Sequence, residues 1–188
     1  MNGVIVVDKA KGNTSFDEIR KIRKEYTIKK VGHTGTLDPM ATGVLTILVG
    51  EATKLSDYLM NHDKEYVATL SLGEKRDTGD SEGKIIETKK VPDLSEKNVK
   101  ETLKSFEGEI SQIPPKYSAI KVNGKKLYEY ARSGEEIEIK PRKVNIFEIN
   151  LIEIKENSIT FKVHCSKGTY IRTLCEDIAE KLGTVGYM

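Results

Sequence analysis

The segment Val31-Gly32-His33-Thr34-Gly35-Thr36-Leu37-Asp38-Pro39-Met40-Ala41-Thr42-Gly43-Val44-Leu45 constrains this chain more than any other part. It sets one carboxylate, Asp38, between a glycine–threonine turn and a proline, and an apolar run follows almost at once. Gly32, Gly35 and Gly43 permit backbone angles and close approaches that a side chain would forbid. Pro39 locks its own φ and biases Asp38 away from the helical region. An ordinary turn needs one or two such residues, whereas this stretch holds three glycines, three threonines and a proline. It reads as a stiff loop that presents one acid at a set angle.

The flanking pattern gives the elements that carry this loop. Val4 to Val7 suits a buried strand. Ser15-x-x-Glu18 has the form of a capping box, and Phe16, Ile19 and Ile22 recur at helical spacing, predicting a helix to about Tyr26. Gly43 to Val49 reads as a strand and Glu51 to Met60 as a helix. From Glu65 to Leu72 the residues alternate, with Tyr66, Ala68, Leu70 and Leu72 on one apolar face. Gly73 to Gly83 reads as a polar loop. Ser95 caps a helix to about Phe106, Pro114-Pro115 ends any regular element, and Lys125 to Arg132 is a short helix closed by Gly134. Val144 to Ile154 and Ser158 to Cys165 pair through a turn at Glu156-Asn157. A final helix carries Ile171, Leu174, Ile178 and Leu182. Strands outnumber helices without a strict βαβ rhythm, so the expected class is α+β around one mixed sheet.

Bulk properties exclude several function classes. A chain of 188 residues can bury a sizeable core, and 32% charged residues suits a soluble protein on the polar side. No apolar run is long enough to span a bilayer, and Asp8 interrupts the N-terminus where a signal peptide would stay apolar, so a cytoplasmic location is expected. Two cysteines, Cys165 and Cys175, are too few for a disulfide framework, and Cys165 falls on the inward side of its strand. No His, Cys or acidic set has zinc spacing, and neither a P-loop nor a GxGxxG fingerprint occurs. No cofactor is expected. The net charge is only +2, but it is unevenly spread. Lys9 to Lys30 holds eight Lys/Arg against three acids, and Lys116 to Lys143 holds eight against four. Such segments suit a phosphate backbone, although solvated lysine-rich faces are common.

Three motifs, in order, carry a resemblance. The Asp38 segment closely resembles the GHTGTLDPxATGVL signature of the TruB family of bacterial tRNA uridine-55 pseudouridine synthases. Asp8-Lys9-Ala10-Lys11-Gly12-Asn13-Thr14-Ser15-Phe16 resembles the family's opening DKPxGxTSF motif. Gly168-Thr169-Tyr170-Ile171-Arg172-Thr173-Leu174 resembles its GTYIRTL motif. The resemblance implies the pseudouridine-synthase fold, a mainly antiparallel bent sheet flanked by helices with a central catalytic cleft. It covers residues 1–188 as one catalytic domain, with about 111–143 as an RNA-contacting insertion.

What the resemblance implies about chemistry is specific. Converting uridine to pseudouridine breaks the N1–C1′ bond, turns the base over and joins C5 to C1′, with no redox change. One carboxylate acting as nucleophile or base in a dry pocket suffices. The resemblance assigns that role to Asp38; outside the motif, an Asp before Pro would read as an Asx-turn residue. Arg172 matches the arginine that pairs with the aspartate, a task suited to a bidentate guanidinium. Tyr66 matches the tyrosine on whose face the flipped base rests and whose hydroxyl helps move the C5 proton, whereas periodicity alone reads it as a core tyrosine. Tyr170 matches a position near the bound uridine, and His33 matches a histidine beside the flipped nucleotide. Lys9 matches a lysine that supports the active-site loop, here followed by Ala10 where the family has proline. The expected partner is the T-stem-loop of tRNA, bound by a monomer. The chain stops at Gly183-Thr184-Val185-Gly186-Tyr187-Met188, where family members continue into another core segment and a PUA-type domain, so a fragment is expected. Two rival readings stand beside this one: a non-catalytic RNA-binding fragment, and a guide-RNA-dependent relative that shares the aspartate motif.

Overall fold

The computed structural model describes residues 1–188. They divide into two compact units, Met1–His62 and Asp63–Met188. The first unit runs β1 (Gly3–Lys9), α1 (Ser15–Tyr26), β2 (Val31–His33), β3 (Gly43–Val49), a 3-10 segment (Gly50–Leu55) and α2 (Ser56–Met60). Strand β3 lies between β1 and β2 and pairs antiparallel with both, in a register that sets Ile5 and His33 opposite Ile47. Alternation along β1 and β3 points Ile5, Val7, Leu45, Ile47 and Val49 to one side. There they meet Ile19 and Ile22 of α1 in a small core.

Helix α1 starts one residue away from its sequence-level cap. Thr14, not Ser15, is the N-cap: its hydroxyl accepts from the Asp17 N–H, and the Asp17 carboxylate accepts from the Thr14 N–H. Adjacent Thr and Ser are both competent caps, and the tertiary partner of Ser15 decides between them. The helix expected over Glu51 to Met60 opens as a 3-10 segment. The Thr53 hydroxyl donates to the Gly50 carbonyl at 2.8 Å, competing for an acceptor that an α-helical turn would use.

The second unit contains β4 (Lys64–Leu72), β5 (Glu74–Arg76), β6 (Ile85–Thr88), α3 (Glu96–Lys104), β7 (Gly108–Gln112), β8 (Lys121–Val122), β9 (Lys125–Lys126), α4 (Leu127–Ser133), β10 (Arg142–Lys155), β11 (Ser158–Cys165), α5 (Ile171–Lys181) and β12 (Gly186–Tyr187). Five of these strands form one antiparallel sheet in the order β12-β4-β11-β10-β7. The fourteen-residue β10 keeps its partner through register shifts at Ile146/Glu148 and Leu151/Glu153. Such bulges bend a long strand. Ala68, Leu70, Ile146, Ile149, Ile159, Phe161, Val163 and Cys165 turn one sheet face inward. Val99 and Leu103 of α3 and Leu174, Cys175, Ile178 and Ala179 of α5 cover it. Gly186 lets β12 lie against β4 beneath α5, because a Cβ there would stand 2.6 Å from Leu70 and 2.9 Å from Ala179.

The polar stretch from Gly73 to Gly83 is not a simple loop. It starts a short hairpin in which β5 and β6 pair, Glu74 opposite Thr88. Arg76 closes its end by donating to the Ser81 and Gly83 carbonyls at 3.0 and 3.2 Å. No helix of the chain is long and apolar enough to cross a membrane.

Candidate active site

Asp38 sits on the link between β2 and β3, and both of its chain neighbours are pinned. On one side, the Ser15 hydroxyl accepts from the Leu37 N–H at 2.9 Å and donates to the Leu37 carbonyl at 3.3 Å. On the other, the Pro39 carbonyl accepts from the Gly12 N–H at 2.8 Å and from the Lys9 ammonium at 3.3 Å. Asp38 itself starts a turn, its carbonyl accepting from the Ala41 N–H at 3.0 Å. Gly43, at φ +107, then delivers the chain into β3. A pinned backbone on either side restricts where the Asp38 carboxylate can point.

Lys9 is fully buried, and its ammonium donates to three carbonyls: Asn13 at 2.6 Å, Ala10 at 3.1 Å and Pro39 at 3.3 Å. An ammonium has three protons, and here each has an acceptor within the loop. Lys9 is thus placed to tie the opening segment to the Asp38 turn rather than to touch a substrate. The neighbouring Ala10 leaves that arrangement intact. His33, on β2, is partly buried; burial pulls its imidazole below the usual pKa, opposed in part by a hydrogen bond with the Gly35 backbone. The ring is therefore neutral near pH 7, and its Nδ1 is buried without a hydrogen-bond partner.

Three of the sequence-predicted site residues belong to the second unit. Tyr66, on β4 opposite Val163, is half-buried and packs along the edge of the core. Tyr170 is the N-cap residue of α5 and has no side-chain cap of its own. Arg172 lies in the first turn of that helix and is only 7% exposed. Its guanidinium donates to the Thr78 carbonyl at 3.0 Å and to the Tyr117 carbonyl at 3.1 Å, with the Asp80 carboxylate 3.7 Å away. A buried guanidinium needs such partners.

Three residues that hydrogen-bond close to the candidate site residues escape the sequence reading. In sequence Ser15 reads as a cap. Asp80 lay in what looked like a loop; its carboxylate accepts from the Thr78 hydroxyl at 2.7 Å and the Glu82 N–H at 3.1 Å, folding the hairpin end against Arg172. Gln112, which is 1% exposed, hydrogen-bonds the Tyr170 backbone. Neither Asp80 nor Gln112 leaves a periodic signal. No three His, Cys, Asp or Glu side chains converge in a metal-ligating group.

The basic stretch from Lys116 to Lys143 forms the β8–β9 hairpin, turned by Asn123 (φ +51) and Gly124 (φ +82), followed by α4. Positive φ at both residues is the mark of a tight hairpin turn. Lys126 and Arg132 each lie 5.4 Å from the Tyr128 ring centre, and Lys125 lies 4.5 Å from that of Tyr130. Of the two rings, Tyr128 is partly exposed, whereas Tyr130 is buried with its hydroxyl donating to the Val122 carbonyl at 3.1 Å; cations beside an accessible aromatic face can meet both phosphates and bases.

Comparison with known proteins supplies the family. The TruB family pseudouridylate synthase N-terminal domain matches residues 23–171. The chain is 54% identical over 183 residues to tRNA pseudouridine synthase B of Clostridium tetani, which covers 97% of this chain and 63% of that protein. It is 49% identical to the Francisella philomiragia protein of that name and 52% identical to the Clostridium kluyveri one, covering all of this chain and 63% and 65% of theirs. The chain thus spans less than two thirds of the length of these relatives, 63 to 65%. Among solved structures, it aligns with a chain of a Cbf5-Nop10-Gar1 complex at a TM-score of 0.76 and 32% identity, over 99% of this chain and 46% of that one. A chain of an H/ACA RNP bound to a substrate RNA containing 2′-deoxyuridine aligns at 0.72 and 30%, over 99% and 44%. With its α+β fold of antiparallel sheets and the Asp38 loop pinned on both sides, the chain belongs to the TruB family of pseudouridylate synthases.

Proposed function

We propose that this protein isomerises uridine to pseudouridine in the T-loop of tRNA, at position 55, without a cofactor. The observation that carries the reading is the Asp38 turn, whose neighbours Leu37 and Pro39 are each held through their backbone by buried side chains. Such restraint is costly to build for a turn and useful for a reacting carboxylate. Identities of 49 to 54% with enzymes named for tRNA, against 30 to 32% with the Cbf5 and H/ACA structures, favour a tRNA substrate over a guide-RNA-dependent one.

In this reading the target uridine leaves its stack and rests against Tyr66, with Tyr170 bounding the base and His33, neutral at pH 7, beside the flipped nucleotide. Asp38 attacks the uridine, the N1–C1′ bond breaks, and the base turns over and rejoins through C5. The C5 proton departs, N1 gains one, and the carboxylate is regenerated, so no external oxidant or reductant is consumed. Arg172 serves as the arginine that the family resemblance pairs with the reacting aspartate, while Lys9 and Ser15 hold the loop. The basic hairpin and α4 lie along the RNA backbone.

A T-stem-loop substrate assayed for pseudouridine without any guide RNA tests this. The wild-type protein forms product, and Asp38→Asn loses at least about 1,000-fold in rate, the scale expected when a reacting carboxylate is removed. Salt-dependent RNA binding with no product would instead favour the non-catalytic reading. Full activity in Asp38→Asn would remove the carboxylate from the mechanism.

A further inference from the structure

Gln112 ends β7 with a side chain that is 1% exposed, so its amide must be paired within the protein. Both halves of the amide pair with one residue. The Tyr170 N–H donates to Oε1 at 3.0 Å, and Nε2 donates to the Tyr170 carbonyl at 3.3 Å. The side chain thus supplies the double rung that a neighbouring antiparallel strand would supply. Tyr170 is held there in extended backbone, φ −98 and ψ 110, while its carbonyl also accepts the first bond of α5 from the Leu174 N–H at 3.0 Å.

The residues after Gln112 extend the grip. The Thr173 hydroxyl donates to the Ile113 carbonyl at 3.3 Å, and Arg172 donates to the Tyr117 carbonyl. Between those contacts lie Pro114 and Pro115, which lack the backbone N–H of a helical ladder and bias the residue before each away from helical angles, so the strap stays extended. The start of α5 is thereby fastened at Tyr170, Arg172 and Thr173 to residues 112–117, and the Gln112 side chain supplies both bonds to the Tyr170 backbone.

We propose that Gln112 is a positioning residue for the pseudouridylation reaction: it fixes the backbone of Tyr170, and through it the Tyr170 ring and the start of the helix that bears Arg172. This rests on the function proposed above. Filling the same space with an apolar side chain would satisfy packing but could not fix the N–H and the carbonyl of one residue together. That takes a group that is both donor and acceptor, as the carboxamide is.

Two substitutions separate positioning from packing. Gln112→Met keeps length and approximate volume but removes both bonds. Gln112→Glu keeps the shape; ionised, it sets a carboxylate against the Tyr170 carbonyl, and protonated, it restores a donor and an acceptor. Rates are measured with saturating and subsaturating T-stem-loop RNA, at temperatures where unfolding curves show each variant folded. Gln112→Met is expected to lower kcat about 10- to 100-fold while KM moves less than about threefold, as misplacement of a site residue by a fraction of an ångström does. Gln112→Glu is expected to regain rate relative to wild type as the pH falls from about 8 to about 5.5, since burial raises a carboxyl's pKa into that window. Wild-type kcat in Gln112→Met, or equal loss in Gln112→Glu at every pH, overturns the proposal. Hydrogen exchange at the Tyr170 amide reads the clamp without catalysis. Exchange at least about tenfold faster in Gln112→Met supports it, and unchanged exchange overturns it. Should the wild-type protein form no pseudouridine, the proposed function falls by itself and the Tyr170 exchange still decides the clamp.

Discussion

The two units hold their key residues by the same device but with different reserves behind it. In residues 1–62, the Ser15 hydroxyl grips both polar groups of the Leu37 backbone, next to Asp38. In residues 63–188, the Gln112 amide grips both polar groups of Tyr170, two residues before Arg172. In each unit a side chain thus fixes the backbone of a residue close to a candidate site residue, Leu37 beside Asp38 and Tyr170 near Arg172. The buried cations are used in opposite ways. Lys9 is spent on holding three carbonyls of the loop, whereas Arg172 is held by two carbonyls and is itself a candidate site residue. The cores differ as well: the main apolar cluster of the first unit holds six buried side chains and that of the second sixteen. A small core gives less margin, so the first unit depends more heavily on its buried polar ties.

That contrast can be broken most directly at Lys9. Lys9→Met leaves three carbonyls without their charged donor and is expected to destabilise the protein by about 3 kcal/mol. Amide exchange should rise across residues 1–62 and stay near wild type in the sheet of residues 63–188. A uniform rise would mean that the two units open together. Ser15→Ala comes next, at about 1.5 kcal/mol, because it strands one donor and one acceptor of Leu37. It should also cost at least about tenfold in pseudouridine formation. Loss of stability without loss of rate would show that Leu37 does not aim Asp38.

The smallest effect belongs to the second unit and is read by pH. Burial lifts the Asp177 carboxyl to about 6 from an ordinary 3.8, with Glu180 adding to the rise and Lys75 opposing it. The folded state therefore binds this proton more tightly than the unfolded one, and stability falls as pH rises from about 4 to about 6. Asp177→Asn removes that penalty and should stabilise the protein at pH 7 by about 1 kcal/mol, given that the group is partly exposed and screened. The gain should fade toward pH 4 in urea unfolding. An equal gain at both pH values would assign it to something other than ionisation.

The residues that sequence exposed best were those whose identity is itself a conformational instruction. Gly43 and Pro39 announced the Asp38 loop, alternation placed Tyr66 and Cys165 on the inward face, and Ser95 and Gly134 marked helix ends that the structure keeps. Thr14 and Ser15 show where local reading stops. Both are good caps, and only Leu37, twenty-two positions beyond Ser15, settles which one caps. The β5–β6 hairpin was missed because its strands are too short for a periodic signal and Arg76 closes it from within. Gln112 was missed for a related reason: a side chain bonded to backbone fifty-eight residues away leaves no pattern in the chain. The division of strands into a three-stranded and a five-stranded sheet depends on pairing between distant segments, which local composition does not encode.

The two native cysteines, Cys165 and Cys175, are buried in the core of residues 63–188, where burial raises both thiols above their usual pKa and keeps them protonated and unreactive. The outer surface of this chain therefore offers no fast-reacting sulfur to a maleimide or a spin label. A single cysteine introduced at an exposed position such as Val44, 74% exposed at the start of β3, would label selectively in the native state. The molecule arrives already blanked for site-directed spectroscopy, and the Asp38 loop can be watched from its own strand without first stripping native thiols from the protein.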